Sequence, residues 1–135
     1  MKGVRSEDDF YVGPSRIPGA GMGLYAKNRI RVGETIGYYT GDVITEQQLG
    51  EGWNAGSDYL LWVCRNWIIV GEGSKANYTR FINHAEEPNS LLVVSTRWKT
   101  ARFECVKPIL PNEEIYFDYG EEYFEASPVT PLPPS

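Results

Sequence analysis

The sequence predicts a mostly β fold within one domain. Short runs of β-branched and aromatic residues recur along the chain, and turn-forming residues separate them. Helix signals are few and short. The chain has 135 residues, of which 41% are hydrophobic and 13% aromatic, so it has enough apolar material for one core and does not resemble a disordered protein.

The predicted strands follow one another at short intervals. Residues 58–63 and 67–70 flank Arg65 and Asn66, and asparagine tolerates the positive φ that a two-residue hairpin turn requires. This spacing predicts an antiparallel hairpin. The runs predicted as strands are residues 10–12, 35–39, 59–63, 67–70 and 91–94.

Two short segments have helix signals. Thr45 and Gln48 have the spacing of a capping box, and Gly50 and Gly52 would end that helix early. Residues 75–82 are the second candidate. We therefore expect short helices between the strands.

The last nine positions, residues 127–135, are rich in proline, which fixes φ and has no backbone N–H to donate. We expect this segment to be a disordered tail. The folded domain is then predicted to span residues 1–126.

Charge and hydropathy exclude several classes of protein. The chain has 13 Lys and Arg against 18 Asp and Glu, a net charge of −5, and no basic cluster long enough to follow a phosphate backbone. Direct nucleic-acid binding is therefore not expected. No apolar run approaches the ~18 residues that cross a bilayer, and the N-terminus lacks the apolar core of a signal peptide. We expect a soluble intracellular protein without membrane association.

Acidic residues are concentrated in the C-terminal third of the chain, where Lys107 is the one basic residue between Glu104 and Glu125. Two interpretations remain open, a solvated surface or a face that attracts a basic peptide. The run contains Glu113, Glu114, Asp118, Glu121, Glu122 and Glu125.

The cysteines and the single histidine restrict metal and nucleophile chemistry. Cys64 and Cys105 lie far apart and outside any zinc-type spacing, so we expect neither a disulfide framework nor a zinc cluster, and both are predicted to be small buried side chains. His84 is the only histidine, which excludes a multi-histidine metal site. No GxSxG motif accompanies it. We therefore predict no metal site.

Four short segments contain residues that could build a ligand site. Residues 18–25 contain three glycines, which let the backbone approach a ligand, although a strand follows them and not the helix of a dinucleotide fingerprint. Residues 38–41 place a tyrosine before a glycine at a strand end, and residues 113–120 crowd three aromatic residues before another glycine. In residues 77–89 polar side chains interrupt an apolar run and need hydrogen-bond partners. They are Arg80, Asn83, His84 and Asn89.

Taken together in this order, the four segments resemble the SET domain, a lysine methyltransferase fold that uses S-adenosylmethionine. The resemblance extends over residues 10–125, and its third motif is the most specific. It implies a mostly β, β-clip fold of several small sheets with short helices and a C-terminal pseudoknot. The matching motifs are GxG at Gly21-Met22-Gly23, YxG at Tyr39-Thr40-Gly41, RFINHxxxPN at 80–89 and FDYG at 117–120.

The resemblance implies a cofactor pocket built by two of these motifs. The backbone of Gly21, Met22 and Gly23 would contact the methionine end of S-adenosylmethionine. The third motif would supply Asn83 and His84 to the same pocket, with Arg80 as an anchor. His84 is then a pocket residue and not a base.

The resemblance also implies a lysine channel. Tyr119 corresponds to the catalytic tyrosine, which acts by positioning and electrostatics because a phenol with a pKa of ~10 is a poor base at neutral pH. Tyr39 would line the channel and hydrogen-bond the lysine nitrogen. Phe117 occupies a Phe/Tyr switch position, which implies a dimethyl or trimethyl product. Tyr123 and Phe124 either close the channel wall or pack a C-terminal segment.

The implied function is a protein-lysine N-methyltransferase that acts on a basic substrate such as a histone tail and leaves S-adenosylhomocysteine as its product. A histone substrate would imply a nuclear, chromatin-associated protein. No cysteine follows Cys105, so we expect no zinc. A homodimer could complete the site of so small a domain. The alternatives are a non-catalytic SET-like module that binds a peptide, or a methyltransferase acting on a non-histone protein.

Overall fold

A computed structural model of the chain describes residues 4–54, 57, 59–64 and 66–119. This part of the chain forms ten strands, one α-helix and two short 3-10 helices at Glu7–Asp9 and Tyr78–Phe81. The strands are β1 Phe10–Pro14, β2 Met22–Ala26, β3 Thr35–Tyr38, β4 Asp42–Ile44, β5 Leu60–Cys64, β6 Trp67–Val70, β7 Asn83–His84, β8 Ser90–Ser95, β9 Thr100–Cys105 and β10 Tyr116–Tyr119, and the helix is α1 Glu46–Gly50.

The first sheet is an antiparallel hairpin of β1 and β2, in which Pro14 pairs with Met22. The other edge of β2 contacts the chain just before β10. Ala26 donates its backbone N–H to the backbone carbonyl of Glu113 at 3.0 Å, and Ile115 donates its backbone N–H to the carbonyl of Leu24 at 2.8 Å. The glycine-rich loop 15–21, between β1 and β2, is therefore held next to the residues that lead into β10.

The second sheet contains five strands in the order β3-β9-β8-β10-β7. Its antiparallel core, β8 and β9, alternates buried and half-exposed residues, as expected for a sheet with one face on a core. The inward side chains are Leu92 and Val94 from β8 and Ala101, Phe103 and Cys105 from β9. We did not predict β9 from the sequence.

Strand β10 lies between β7 and β8, although those two strands are consecutive in the chain. It runs parallel to both. The loop 85–89 that joins β7 to β8 must therefore cross β10, and its backbone bonds β10 from Ala85 N–H to Phe117 at 3.2 Å and from Asn89 N–H to Tyr116 at 3.3 Å. This crossing is the arrangement that the expected pseudoknot requires.

The third sheet has the strand order β4-β6-β5, and its central strand β6 is buried on both faces. Ile69 faces the main core, whereas Ile68 and Val70 on the other face pack with Ile44 in a second, smaller cluster. The predicted hairpin is confirmed, since β5 and β6 are antiparallel and Cys64 pairs with Trp67 across the two-residue connection.

The helix predictions are confirmed in part. Thr45 and Gln48 form the capping box of α1, as their spacing indicated. The second segment is shorter than predicted, because only Tyr78–Phe81 is helical and Ile82 is already extended. Its turn begins where the Asn77 side chain accepts the backbone N–H of Thr79 at 3.1 Å. None of the described helices has the length and apolar character needed to cross a membrane.

The two cysteines are free thiols, but only one is fully buried as predicted. Cys105 is completely inaccessible, whereas Cys64 is half-buried. The predicted tail 127–135, together with Tyr123 and Phe124, lies outside the described residues.

Candidate functional site

A buried carboxylate, Glu114, lies at the centre of the site. Only 2% of the residue is exposed, so it belongs neither to a solvated surface nor to a face that attracts peptides, which corrects one member of the acidic run. Its Oε1 accepts the backbone N–H of Arg16 at 2.8 Å and the hydroxyl of Tyr116 at 2.9 Å. Its Oε2 accepts the hydroxyl of Ser15 at 2.7 Å and the side-chain amide of Asn83 at 3.3 Å.

These hydrogen bonds determine the charge of Glu114. Burial by itself raises the pKa of this carboxyl, but the bonds from the Arg16 backbone, Ser15, Tyr116 and Asn83 favour the ionised form and leave the pKa below its ordinary value. The site therefore contains a buried negative charge that is held by uncharged donors.

The glycine turn contacts the third motif through Asn83. The Asn83 amide donates to the carbonyl of Met22 at 2.9 Å as well as to Glu114. Gly23 is needed for this approach, because a Cβ built on it would overlap the Glu114 carboxylate. The structure thus brings Met22, Gly23 and Asn83 together, while their part in a cofactor pocket stays a prediction.

His84 follows Asn83 on β7, the edge strand of the five-stranded sheet. Along a paired strand, the backbone N–H and C=O groups of successive residues point to opposite sides. Ala85 donates its backbone N–H to the carbonyl of Phe117 on β10. The backbone N–H and C=O of the preceding residue, His84, therefore face away from β10. The exposed His84 ring has its Nε2 3.2 Å from Asp118 Oδ1. A pair with both side chains this exposed contributes little stability.

The predicted channel residue Tyr39 lies on the other side of the site. Its hydroxyl donates to the carbonyl of Tyr59 at 2.6 Å, and a Cβ on Gly71 would overlap that hydroxyl. Burial, followed by the electrostatic effect of Tyr59, raises the Tyr39 pKa far above its ordinary value of 10.0. Tyr39 is therefore a neutral phenol at physiological pH.

Arg80 contacts the Tyr39 side of the site. Its guanidinium lies 5.4 Å from the centre of the Tyr59 ring and 4.7 Å from that of Phe81, within cation–π range, and donates to the carbonyl of Gly71 at 3.4 Å. Arg80 thus contacts Tyr59 and Gly71, the two residues that lie against the Tyr39 hydroxyl. Its role as an anchor of the cofactor pocket stays a prediction.

One buried aromatic residue, Phe103 on β9, links the two sides. Its ring meets Tyr39 edge-on at 6.4 Å and Phe117 edge-on at 5.4 Å, and Phe117 in turn meets His84 at 5.6 Å. Edge-on packing at these distances is favourable for aromatic rings. Phe117 is therefore held between the two sides of the site, while its part in setting the methylation state stays a prediction.

The backbone of Tyr119 ends β10 and pairs with Leu92. Its side chain lies outside the described residues, so its catalytic role stays a prediction. The four polar side chains that interrupt the third motif are all hydrogen-bonded, which confirms the expectation that they need partners. Besides Arg80, Asn83 and His84, they include Asn89, whose amide donates to the carbonyl of Glu114 at 3.0 Å.

Two site residues were missed by the sequence analysis. Glu114 was counted among acidic surface residues, although the neighbouring Ile115 and Tyr116 could have indicated a buried segment. Phe103 was missed because β9 was not predicted. The alternation of Ala101, Phe103 and Cys105 with polar residues is the signal that could have found it.

Two observations are compatible with the cofactor pocket that the resemblance implies. A Cβ built on Gly21 meets no heavy atom within 4 Å, so the turn borders open space. The outward N–H and C=O of His84 form a donor and acceptor pair of the kind that binds a base edge. Gly21, Met22, Asn83 and His84 would hold the cofactor between them.

The chain is similar to known proteins in both sequence and structure. A family model described as the SET domain matches residues 21–120. The chain is 29% identical over 125 residues to the histone-lysine N-methyltransferase EZH2 of Chaetomium thermophilum, which covers 83% of this chain and 8% of that protein. It is 33% identical over 109 residues to the histone-lysine N-methyltransferase Set2 of Drosophila melanogaster, which covers 73% of this chain and 5% of that protein.

A solved structure described as ctPRC2 in an autoinhibited conformation bound to S-adenosylmethionine is also similar. The TM-score is 0.70 at 26% identity, over 84% of this chain and 15% of that chain. The present chain thus spans less than a tenth of the length of the two curated relatives. Because the family match runs from the glycine turn through all four motifs to the end of β10, the chain belongs to the SET-domain family.

Proposed function

We propose that this chain is an S-adenosylmethionine-dependent protein-lysine N-methyltransferase. The observation that carries the proposal is the bond network of Met22, Asn83 and Glu114, which joins the glycine turn to the third motif within a SET-domain fold. Relatives named histone-lysine N-methyltransferases support the reaction class.

S-adenosylmethionine supplies a methyl group on a positively charged sulfur. The lysine nitrogen must be neutral, because its lone pair forms the new bond to the methyl carbon as the carbon–sulfur bond breaks. Free lysine has a pKa of ~10.4, so its proton has to be lost before transfer. Desolvation beside Tyr39 and Phe117 would lower the lysine pKa and favour that loss.

Tyr39 acts in this proposal as a neutral hydrogen-bonding group. Its raised pKa excludes it as a base at physiological pH, so it orients the lysine nitrogen without removing a proton. Tyr119, in the motif that ends β10, is proposed to position the same nitrogen. Both residues contribute geometry and electrostatics.

We further propose a basic protein, with a histone tail as the first candidate, as the substrate. The net charge of −5 favours encounter with a basic chain, and the matched relatives are named for histone lysine. Phenylalanine at position 117 leaves room for a dimethyl or trimethyl product. Nuclear localisation, a homodimer and independence of zinc remain parts of the proposal.

The test is methylation of core histones and of a basic-peptide library with S-adenosylmethionine, followed by mass spectrometry. Wild type is compared with Tyr119→Phe and with Tyr11→Phe, which removes the same hydroxyl group at a position whose hydroxyl bonds Asn112. Methyl groups on lysine with wild type and Tyr11→Phe, and loss of most of the rate with Tyr119→Phe, would support the proposal. The highest methyl state reached tests Phe117.

If no methylation is detected, calorimetry with S-adenosylmethionine separates two explanations. Binding without turnover would mean that the substrate is a different protein. No binding would contradict the proposal and favour a non-catalytic SET-like module that binds a peptide.

A further inference from the structure

Glu114 connects three separate parts of the chain through its two carboxylate oxygens. Ser15 and the backbone of Arg16 belong to the loop between β1 and β2, Asn83 belongs to β7, and Tyr116 begins β10. These parts meet where the glycine turn and the third motif converge. A single side chain therefore bonds all three parts.

We propose that Glu114 is a positioning residue that holds the glycine turn and Asn83 in the arrangement that binds S-adenosylmethionine. This inference rests on the proposed function. It differs from the family resemblance, which assigned the pocket to the turn and the third motif and gave Glu114 no role. Glu114 acts through Asn83, whose amide also reaches the carbonyl of Met22.

Only a carboxylate can accept all four donors. The Ser15 and Tyr116 hydroxyls can rotate to accept a bond, but the Arg16 backbone N–H and the Asn83 amide N–H can only donate. A glutamine at position 114 would turn one of its two terminal atoms into an NH2 group. Either the Arg16 N–H at Oε1 or the Asn83 amide at Oε2 would then face another donor.

Packing adds a second constraint on this carboxylate. Its Oε2 occupies the space where a Cβ on Gly23 would lie, so the turn closes directly over it. The acidic group, the glycine and the Asn83 amide form one contact. Displacement of any one of them moves the turn.

The experiment compares wild type with Glu114→Gln by two readouts, S-adenosylmethionine binding by calorimetry and amide hydrogen exchange of residues 15–23 in the protein without cofactor. Glu7→Gln, the same substitution on an exposed carboxylate far from the turn, is the matched control. We expect Glu114→Gln to weaken binding by about tenfold or more and to speed exchange in the turn, with the control unchanged. At saturating cofactor, kcat should fall much less than KM for the cofactor rises.

Ser15→Ala serves if Glu114→Gln does not fold, because it removes one donor and leaves the carboxylate in place. It should weaken cofactor binding less than Glu114→Gln and speed exchange in the same segment. Unchanged cofactor affinity in a folded Glu114→Gln or Ser15→Ala protein would overturn the inference. If wild type itself does not bind S-adenosylmethionine, the proposed function fails and the cofactor role of Glu114 fails with it. Slow hydrogen exchange of residues 15–23 in wild type would still show that the turn is held in place.

Discussion

At the scale of single residues, Glu114 shows how surroundings change the role of an acidic side chain. A buried carboxylate is costly unless its oxygens are hydrogen-bonded. Here four neutral donors meet that requirement, and the pKa falls below its ordinary value of 4.5 in spite of burial. An acid of this kind stabilises the folded state only while it is ionised.

The lowered pKa predicts an acid-dependent loss of stability. Because the folded pKa lies below the unfolded one, Glu114 contributes its full stabilisation above pH 4.5 and loses it as the pH falls through the folded value. The phenols of Tyr25 and Tyr116, which face the same carboxylate, have raised pKa values and stay neutral in acid. The difference in unfolding free energy between wild type and Glu114→Gln should therefore shrink below pH 4.5. Urea titrations across this range measure it, and a constant difference down to about pH 3 would contradict the prediction.

Tyr39 offers a prediction on rate. Tyr39→Phe removes the hydroxyl that bonds Tyr59, while the carbonyl of Tyr59 keeps its bond from the Gly71 N–H at 2.9 Å. We expect kcat to fall about tenfold or more with little change in cofactor affinity, because Tyr39 lies on the channel side. Unfolding free energy should fall by about 1 kcal/mol.

The matched control for Tyr39→Phe is Tyr38→Phe, at the exposed neighbouring position. Single-turnover rates and calorimetry with both variants separate the effects. An equal loss of rate in the two variants would argue against a specific role for the Tyr39 hydroxyl.

At the scale of elements, the crossing of loop 85–89 over β10 depends on Asn89. Its side chain accepts the backbone N–H of Tyr116 at 2.8 Å and donates to the carbonyl of Glu114 at 3.0 Å. The Asn89 amide thus bonds the backbone on both sides of Ile115, just where the chain enters β10. Strand β10 contains the predicted channel residues Phe117 and Tyr119, so the crossing also helps to determine the position of their backbone.

Asn89→Ala should destabilise this crossing. Both backbone groups would lose their partner in a partly buried place, so we expect unfolding free energy to fall by about 2 kcal/mol and hydrogen exchange in Tyr116–Tyr119 to speed up. Denaturant unfolding and exchange mass spectrometry measure the two effects. Asn89→Asp keeps the acceptor and should lose less.

Glu87→Ala, at an exposed position in the same loop, is the control for Asn89→Ala. It should leave stability nearly unchanged. If Glu87→Ala destabilises the protein as much as Asn89→Ala, the loop acts as a whole and the Asn89 amide has no special part.

At the scale of the whole molecule, one core unites all three sheets. Side chains from the hairpin, the five-stranded sheet and the three-stranded sheet pack in a single cluster, which favours cooperative unfolding. Cys105 lies inside this cluster with no exposed area. Burial raises the pKa of its thiol to about 11.

Cys105 therefore reports on global opening. At neutral pH its thiol is protonated and inaccessible, so an alkylating reagent should modify the half-buried Cys64 first. In a Cys64→Ser background, labelling of Cys105 should follow the unfolding equilibrium and accelerate with denaturant. Mass spectrometry over time measures it. Fast labelling of Cys105 without denaturant would show that the core opens locally.

Much of this molecule follows from local sequence patterns. The mostly β class, the hairpin of β5 and β6 and the capping box at Thr45 were predicted because each depends on neighbouring residues. The motif residues Met22, Gly23 and Asn83 were also identified, through a resemblance that preserves their order and spacing.

Other features depend on residues far apart in the chain. The position of β10 between β7 and β8 joins residues about 30 positions apart, and no local pattern encodes a crossing of this kind. The placement of Phe103 between Tyr39 and Phe117 likewise requires β9, β10 and the residue after β3 to be assembled.

The sequence by itself determined the mostly β class, the β5–β6 hairpin, the capping box at Thr45 and the motif residues expected in the site. Only the tertiary structure decided which of them meet, since the charge state and the burial of Glu114 depend on donors from Ser15, Asn83 and Tyr116. From the sequence, an acidic residue within an acidic run is predicted to lie on the surface. Glu114 is nevertheless a buried carboxylate, because folding surrounds it with hydrogen-bond donors that take the place of water.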